Sequence, residues 1–284
     1  MLYLSRLCVT VSCCLAAAIV TLPSCAAQTQ MPTPKLDGIA HAAVRVSNLE
    51  KSRAFYKELG YEEAFAKSHD GVPTESFIKV NDTQFIELYP QEKMSQQIGF
   101  LHVCFESHDL EALNQAYVAR GLTPSAVKRA GAGNLLFTMR GPEEQNLEYT
   151  QYMPGSMHTN DRGKHLGAGR ISDRIVAVSI EMQNTKAARE YYLSKLAFTL
   201  AEPAVPSTGS GHIWLALPGQ TGERVEISPR VPGGAFQIYF AVPDLHRAAA
   251  ELKAAHLTFA KLKGCLSVQD PDGNRVVFVQ VNQH

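Results

Sequence analysis

Apolar and polar positions along the chain alternate between a strand-like and a helix-like period, and the alternation recurs in blocks. Residues 39–46 read as a strand. Asn48 stands where an N-cap belongs, and residues 49–59 carry apolar side chains at helical spacing with Gly60 as a stop. Residues 61–66, 74–80 and 84–89 read as strands, the last two joined at Asn81-Asp82. The same order then returns. Residues 100–105 predict a strand, Asp109 caps a helix running through Arg120 to Gly121, and strands follow near 123–128, 134–139 and 146–152.

Landmarks inside these blocks repeat at one offset. His41 and Asn48-Leu49-Glu50 reappear 61 residues later as His102 and Asp109-Leu110-Glu111, and Glu87 reappears at the same offset as Glu148. Fixed-period self-similarity marks duplicated structural units. Residues 154–170 are rich in small and polar types and read as a linker. Beyond them the pair returns in weaker form. Asn184 with Arg189, Tyr191 and Tyr192 matches Asn48 with Arg53, Phe55 and Tyr56, and Val225-Glu226-Ile227 matches Ile86-Glu87-Leu88. Asp244-Leu245 likewise matches Asp109-Leu110. The expected class is α+β: four βαβββ modules in two tandem domains, 38–153 and 171–284, each a curled mixed sheet with helices outside.

Strand alternation decides which way the landmarks face. Leu101, Val103 and Phe105 suit the helix side of their strand, so His102 and Cys104 take the other side. Ile86 and Leu88 likewise send Glu87 out with Phe85 and Tyr89, and Leu147 and Tyr149 send Glu148 out. His41 shares its side with Ala43 and Arg45. Two imidazoles and two carboxylates on the inner side of a cup form a ligand set for one divalent metal, Zn, Ni, Fe or Mn, with open positions for substrate. In the second domain the same positions fall on Ala177, Glu226, Gln237 and Val277, so a metal is expected only in the first. His69, His108, His158, His165, His246 and His256 read as solvated surface residues.

Composition narrows the partners. Lys plus Arg and Asp plus Glu are both 27, giving no net charge, and no basic stripe is present to hold nucleic acid. Of six cysteines, Cys8, Cys13, Cys14 and Cys25 lie in a leader with Arg6, an apolar stretch and small residues at its end. That pattern predicts a signal peptide over 1–27, followed by a tether over 28–37. Two readings of its end are open: cleavage after Ala27, or a lipoprotein box with Cys25 lipidated. Either implies export to the periplasm or cell envelope, with a membrane reached only through a lipid on Cys25. The remaining Cys104 and Cys265 form no disulfide framework.

The order His41, Glu87, His102, Glu148, with His41-Ala42-Ala43-Val44-Arg45-Val46, Phe55-Tyr56 and Ile86-Glu87-Leu88, resembles the vicinal oxygen chelate superfamily, and glyoxalase I in particular. The resemblance covers 38–152 well and 172–281 weakly. It implies a metal held by all four residues and a lyase or isomerase reaction through a metal-stabilised enediolate. Glu148, with Glu87 as the alternative, would shuttle the proton. Arg45 falls where the family holds a substrate carboxylate, though pairing with Glu106 is an equal reading, and Tyr89 and Cys104 would line the substrate pocket. One departure is Gly141-Pro142-Glu143-Glu144 where the family carries Asp-Pro-Asp-Gly, a motif intact here only at residues 270–273. The ranked alternatives are an extradiol ring-cleaving dioxygenase using His41, His102 and Glu148, a thiol or hydroxide transferase on the same three, and a non-enzymatic binding or resistance protein. The dioxygenase pattern also requires a His and a Tyr that residues 130–138 lack. The partner is a small molecule in each case, and the chain is a monomer or a homodimer.

Overall fold

The computed structural model describes residues 33–205, 210–219, 221–231 and 236–281; the expected leader and most of the expected tether lie outside the described residues. Strand β1 (Gly38–Val46) leads into helix α1 (Leu49–Glu58), then β2 (Glu62–His69), β3 (Val72–Lys79) and β4 (Phe85–Pro90). β4 returns beside β1 in parallel, closing one module in the order β2-β3-β4-β1. The second module holds β5 (Gly99–Glu106), α2 (Leu110–Ala119), β6 (Lys128–Arg129), β7 (Leu135–Arg140) and β8 (Asn146–Gln151). Antiparallel pairing of β1 with β5 fuses the two modules into one eight-stranded mixed sheet.

A short helix α3 (Met157–Asn160) follows, and the plan then repeats: β9 (Ile175–Met182), α4 (Thr185–Ser194), β10 (Thr199–Leu200), β11 (Ile213–Ala216), β12 (Arg224–Pro229), β13 (Gln237–Val242), α5 (Leu245–Ala254), β14 (Phe259–Leu262), β15 (Cys265–Gln269) and β16 (Arg275–Gln280). The second sheet has the order of the first, with β9 and β13 at its centre. These are two tandem domains of the α+β class, each built from two βαβββ modules as expected. Among the described residues no helix is long and apolar enough to cross a membrane.

One capping device starts the helix of every module. Asn48, Asp109, Asn184 and Asp244 each accept a backbone N–H from the first turn, satisfying a donor that the helix leaves free. Regular pairing near 123–128 is limited to Lys128–Arg129. Pro124 has no N–H to give a ladder, and Ser125 instead donates its backbone N–H to Thr138 O and accepts from Thr138 N through its hydroxyl.

The helix-side faces of both sheets share one apolar core. Val44, Ile86, Leu88, Val103 and Phe105 of the first join Ile180, Val225, Ile227 and Phe240 of the second. Tyr61 meets Phe240 with ring centroids 5.6 Å apart, and Phe105 meets Phe198 at 5.7 Å. The other face of each sheet is thereby left free to form a cup.

Polar contacts fix the two domains to each other. The Glu143 carboxylate accepts the backbone N–H groups of Gln183 and Asn184 at 2.9 and 2.8 Å, ahead of α4. Asp272, at the matching place in the second domain, accepts the N–H of Ser47 ahead of α1 at 3.0 Å. The departure from Asp-Pro-Asp-Gly in the first domain thus supplies a longer acid to the same reciprocal contact. Glu223 adds a buried link, accepting from Ile39 N and from the Gln84 amide. Leu36 is buried and donates its backbone N–H to Pro218 O.

Candidate metal centre

The registers of β4, β1, β5 and β8 lay the four predicted ligands out in two adjacent rows. One row reads Glu87, Ala43, His102 across β4, β1 and β5. The next reads His41, Cys104, Glu148 across β1, β5 and β8. In each row a small side chain, Ala43 or Cys104, stands between two longer ones. That spacing leaves room for the four functional groups to lean together over the sheet.

They do converge. His41 Nε2 lies 3.1 Å from His102 Nε2 and 3.4 Å from Glu148 Oε1, and His41 Nδ1 lies 3.2 Å from Glu87 Oε1. His102 Nε2 is 3.7 Å from Glu148 Oε2. His41, Glu87 and His102 each offer a donor atom within 4.8 Å of the others, and so do His41, Cys104 and Glu148.

Burial sets the electrostatics. It lowers His41 to about 3 and His102 to about 4, so both imidazoles are neutral and carry a free lone pair. Burial raises Glu87 well above the carboxylate range, and Glu75 and Glu148 push it further. Burial also raises Glu148, against the opposing pull of His102. Among the described residues neither Glu87 nor Glu148 pairs with a Lys or Arg. A divalent cation at this point would accept the imidazole lone pairs and relieve the carboxylate repulsion, and imidazole with carboxylate suits the borderline first-row metals. The residues fit a metal. Burial, with Glu148 and Glu87 alongside, raises the Cys104 thiol, so it stands in the site as a small neutral group.

Beside these residues lies a cavity of about 160 Å³ lined by His41, Glu87, Tyr89 and Glu148 among others. The Tyr89 hydroxyl lies 3.0 Å from Glu87 Oε2 and 2.5 Å from Glu75 Oε1, so its single proton serves two acids. Arg45 is not at this cavity. It lies four residues along β1 from His41, opposite Tyr89, and donates to Gln97 O at 3.3 Å. Glu106 sits opposite Gly38 at the other end of the strand, so it is no partner for Arg45.

Glu75 and His158 are among the cavity residues that escaped the sequence reading. Glu75 is buried and pairs with Lys67 at 2.6 Å. Its signal was its parity with Phe77, which sits opposite Glu87. His158 was expected on the surface but is 4 % exposed. It lies on α3, with Phe65, Phe77 and Phe85 set edge-on to its ring at 4.8–5.3 Å. Asn134 takes the backbone N–H of Met153 on Oδ1 and turns its amide nitrogen to His158 Nδ1 at 2.9 Å. Burial, with His41 next, lowers His158 to about 3. A neutral ring accepting at Nδ1 carries its proton on Nε2.

The second cup has the same registers and different chemistry. Pairing of β9 with β12 and β13, and of β13 with β16, puts Ala177, Glu226, Gln237 and Val277 at the four ligand positions, as the sequence alignment expected. Tyr239 stands where the first domain has Cys104, and its hydroxyl donates to Glu226 Oε2 at 2.6 Å.

Residues 38–149 match the profile of the Glyoxalase/Bleomycin resistance protein/Dioxygenase superfamily, also called vicinal oxygen chelate. The match is confined to those residues, which make up most of the first domain. No curated protein matches the chain. Among solved structures, a Mn(II)-bound glyoxalase from Novosphingobium aromaticivorans aligns with TM-score 0.64 and 15 % identity over 87 % of this chain and 82 % of that one. An extradiol ring-cleaving dioxygenase from B. fuscum aligns with TM-score 0.66 and 15 % identity, covering 89 % and 74 %. The 2,3-dioxygenase LapB from Pseudomonas sp. KL28 aligns with TM-score 0.66 and 16 % identity, covering 89 % and 95 %. At these identities the likeness shows the fold alone, over both domains, and that fold is shared by a glyoxalase and by dioxygenases alike.

Proposed function

We propose that the first domain is a metal-dependent lyase or isomerase of glyoxalase type, acting on a small molecule with oxygen on two adjacent carbons. The observation that carries this reading is the clustering of a second imidazole, His102, and two carboxylates, Glu87 and Glu148, around the neutral His41 ring beside a cavity of about 160 Å³. A divalent cation held by His41, Glu87, His102 and Glu148 supplies Lewis acidity toward the two substrate oxygens. Zn, Ni, Fe and Mn all suit that donor set.

The chain's own residues divide the remaining work. Glu87 is tied on both oxygens, to His41 Nδ1 and to the Tyr89 hydroxyl, and serves as the fixed carboxylate. Glu148 is the more open of the two, with its side chain 15 % exposed against 5 %. It is the base that takes a proton from one substrate carbon and returns it to the next. Tyr89, Cys104 and His158 shape the pocket, and α3 helps exclude water from it. Arg45, at the strand end, is kept for a longer substrate that extends beyond the cavity.

A second reading, extradiol ring cleavage, is favoured by one observation. His158 and Tyr89 bring to the cavity the imidazole and phenol that residues 130–138 lack. Against it stands Glu87, a fourth donor that a site of two His and one carboxylate does not need.

The decisive experiment is metal analysis of the purified chain followed by two assays. The lyase reading expects about one metal per chain, its loss in His102→Ala, and solvent-deuterium exchange into a hemithioacetal. Oxygen uptake with a catechol and no exchange would replace it with the dioxygenase. Absence of metal from the wild-type chain after reconstitution would sink both. We further propose export through the leader, as a monomer or homodimer. Intact mass of the cell-envelope fraction distinguishes cleavage after Ala27 from a lipid on Cys25, and an uncleaved cytoplasmic product would refute export.

A further inference from the structure

The second cup is not an eroded copy of the first. The first collects acids: Glu75, Glu87 and Glu148 line its cavity. In the second, two of these three acids are gone and Glu226 alone remains, at the place of Glu87. His212, two residues before the partner of Glu226, occupies the place of Glu75, and Val277 replaces Glu148. A cavity of about 90 Å³ remains there.

The single acid of that cavity is already satisfied. Glu226 Oε1 lies 2.7 Å from His212 Nδ1, and Oε2 accepts from the Tyr239 hydroxyl at 2.6 Å. With both oxygens engaged, Glu226 has little left for a cation. Two cations stand at the rim all the same: Arg275 on β16, opposite Gln237, and Lys263 between β14 and β15. Neither pairs with a carboxylate among the described residues. Between rim and floor, Val205, Leu262 and Val277 make the wall apolar.

A pocket with two cations among its lining residues, an apolar wall and its own acid already hydrogen-bonded on both oxygens matches one ligand chemistry. We infer that the second cup binds a small organic carboxylate, with Arg275 and Lys263 holding the carboxylate and the short carbon chain against Val277 and Leu262. An arginine presents the planar fork that a carboxylate accepts in a bidentate manner. A cation is refused because the rim already carries two.

The chain contains its own reporter. Its single tryptophan is Trp214, buried, opposite Glu226 across the β11–β12 ladder, with its ring centroid 5.3 Å from that of Tyr239. Its fluorescence therefore reads the second cup and not the first. The experiment titrates the metal-stripped, chelator-free chain with butyrate, with butylammonium as a cation of equal size and with inorganic phosphate as an anion lacking a carbon chain. The expected result is a saturable change with butyrate, none with butylammonium or phosphate, and a midpoint at least tenfold higher in Arg275→Gln at unchanged melting temperature. No saturable response to butyrate, an equal response to butylammonium or phosphate, or the same midpoint in Arg275→Gln would each overturn the assignment. Lys263→Gln provides a second exposed variant should Arg275→Gln fold poorly, and the same tenfold criterion applies to it.

Discussion

The Nε2 atoms of His41 and His102 face each other at 3.1 Å across the ladder between β1 and β5. Both rings are neutral, so without a cation either two lone pairs face each other or one ring spends its only proton on the other, while two carboxylates crowd alongside. A bound metal removes that conflict and adds to folding stability by mass action. At a free metal concentration of 100 times Kd the gain is about 2.7 kcal/mol. Thermal melts should rise on addition of Mn(II) or Zn(II) and fall back with EDTA, and His102→Ala should lose the response. A melt indifferent to metal in the wild-type chain would contradict the proposed centre.

Lys79 fastens the α3 segment. It is fully buried and donates to Asp161 through the backbone oxygen at 2.6 Å and Oδ2 at 2.7 Å, with Asp82 at 2.9 Å. Lys79→Ala leaves the buried Asp161 carboxylate with His165 as its remaining side-chain partner, and breaking a buried pair costs about 3–5 kcal/mol. Urea denaturation should show that loss. Hydrogen exchange should also quicken over residues 157–161, where His158 is held against the cavity.

Acid–base linkage is expected at the contact between the domains. Burial raises Glu223 from 4.5 to about 8, offset in part by the Ile39 N–H and Arg174, while nearby Glu106 is raised to about 7 by burial and by Asp37. Between about 4.5 and 8 the folded chain therefore keeps a proton at Glu223 that the unfolded chain has released. Stability falls as pH rises through that window. Melting temperature should be higher at pH 5 than at pH 8, with a smaller difference in Glu223→Gln. An identical slope in the two proteins would assign the effect elsewhere.

The reciprocal acids are testable by deletion. Glu143→Ala removes the acceptor for two N–H groups ahead of α4, and loss of an acceptor at a helix start costs about 0.5–2 kcal/mol. Asp272→Ala removes one such acceptor ahead of α1 and should cost less. Chemical denaturation of both variants ranks them, and a larger loss from Asp272→Ala would contradict the account.

The four candidate ligands were legible because strand period and an internal repeat act on the same residues. Parity gave the face of His41, Glu87, His102 and Glu148, and the 61-residue offset gave their symmetry. The alignment of Ala177, Glu226, Gln237 and Val277 also agrees with the pairing registers. His158 was illegible for a physical reason. Its segment has few apolar residues, and its burial comes from rings far away in sequence, Phe65, Phe77 and Phe85. Arg45 shows the converse limit: parity gives a side of the strand but not the point along it where the cavity ends. The pocket of the second domain was hidden because its character depends on Tyr239, and a tyrosine among strand apolars reads as core.

Each module of the first domain contributes one histidine and one glutamate of the candidate ligand set, and the two half-sheets join where β1 lies against β5. The proposed ion thus sits on a seam, riveting two half-domains that each own half of its coordination sphere. Cutting the chain in the exposed stretch between β4 and β5 would leave two fragments, neither able to hold the metal alone. Their reassembly would then depend on metal supply, making the ancient duplication itself the joint on which a split, metal-gated version of this protein could turn.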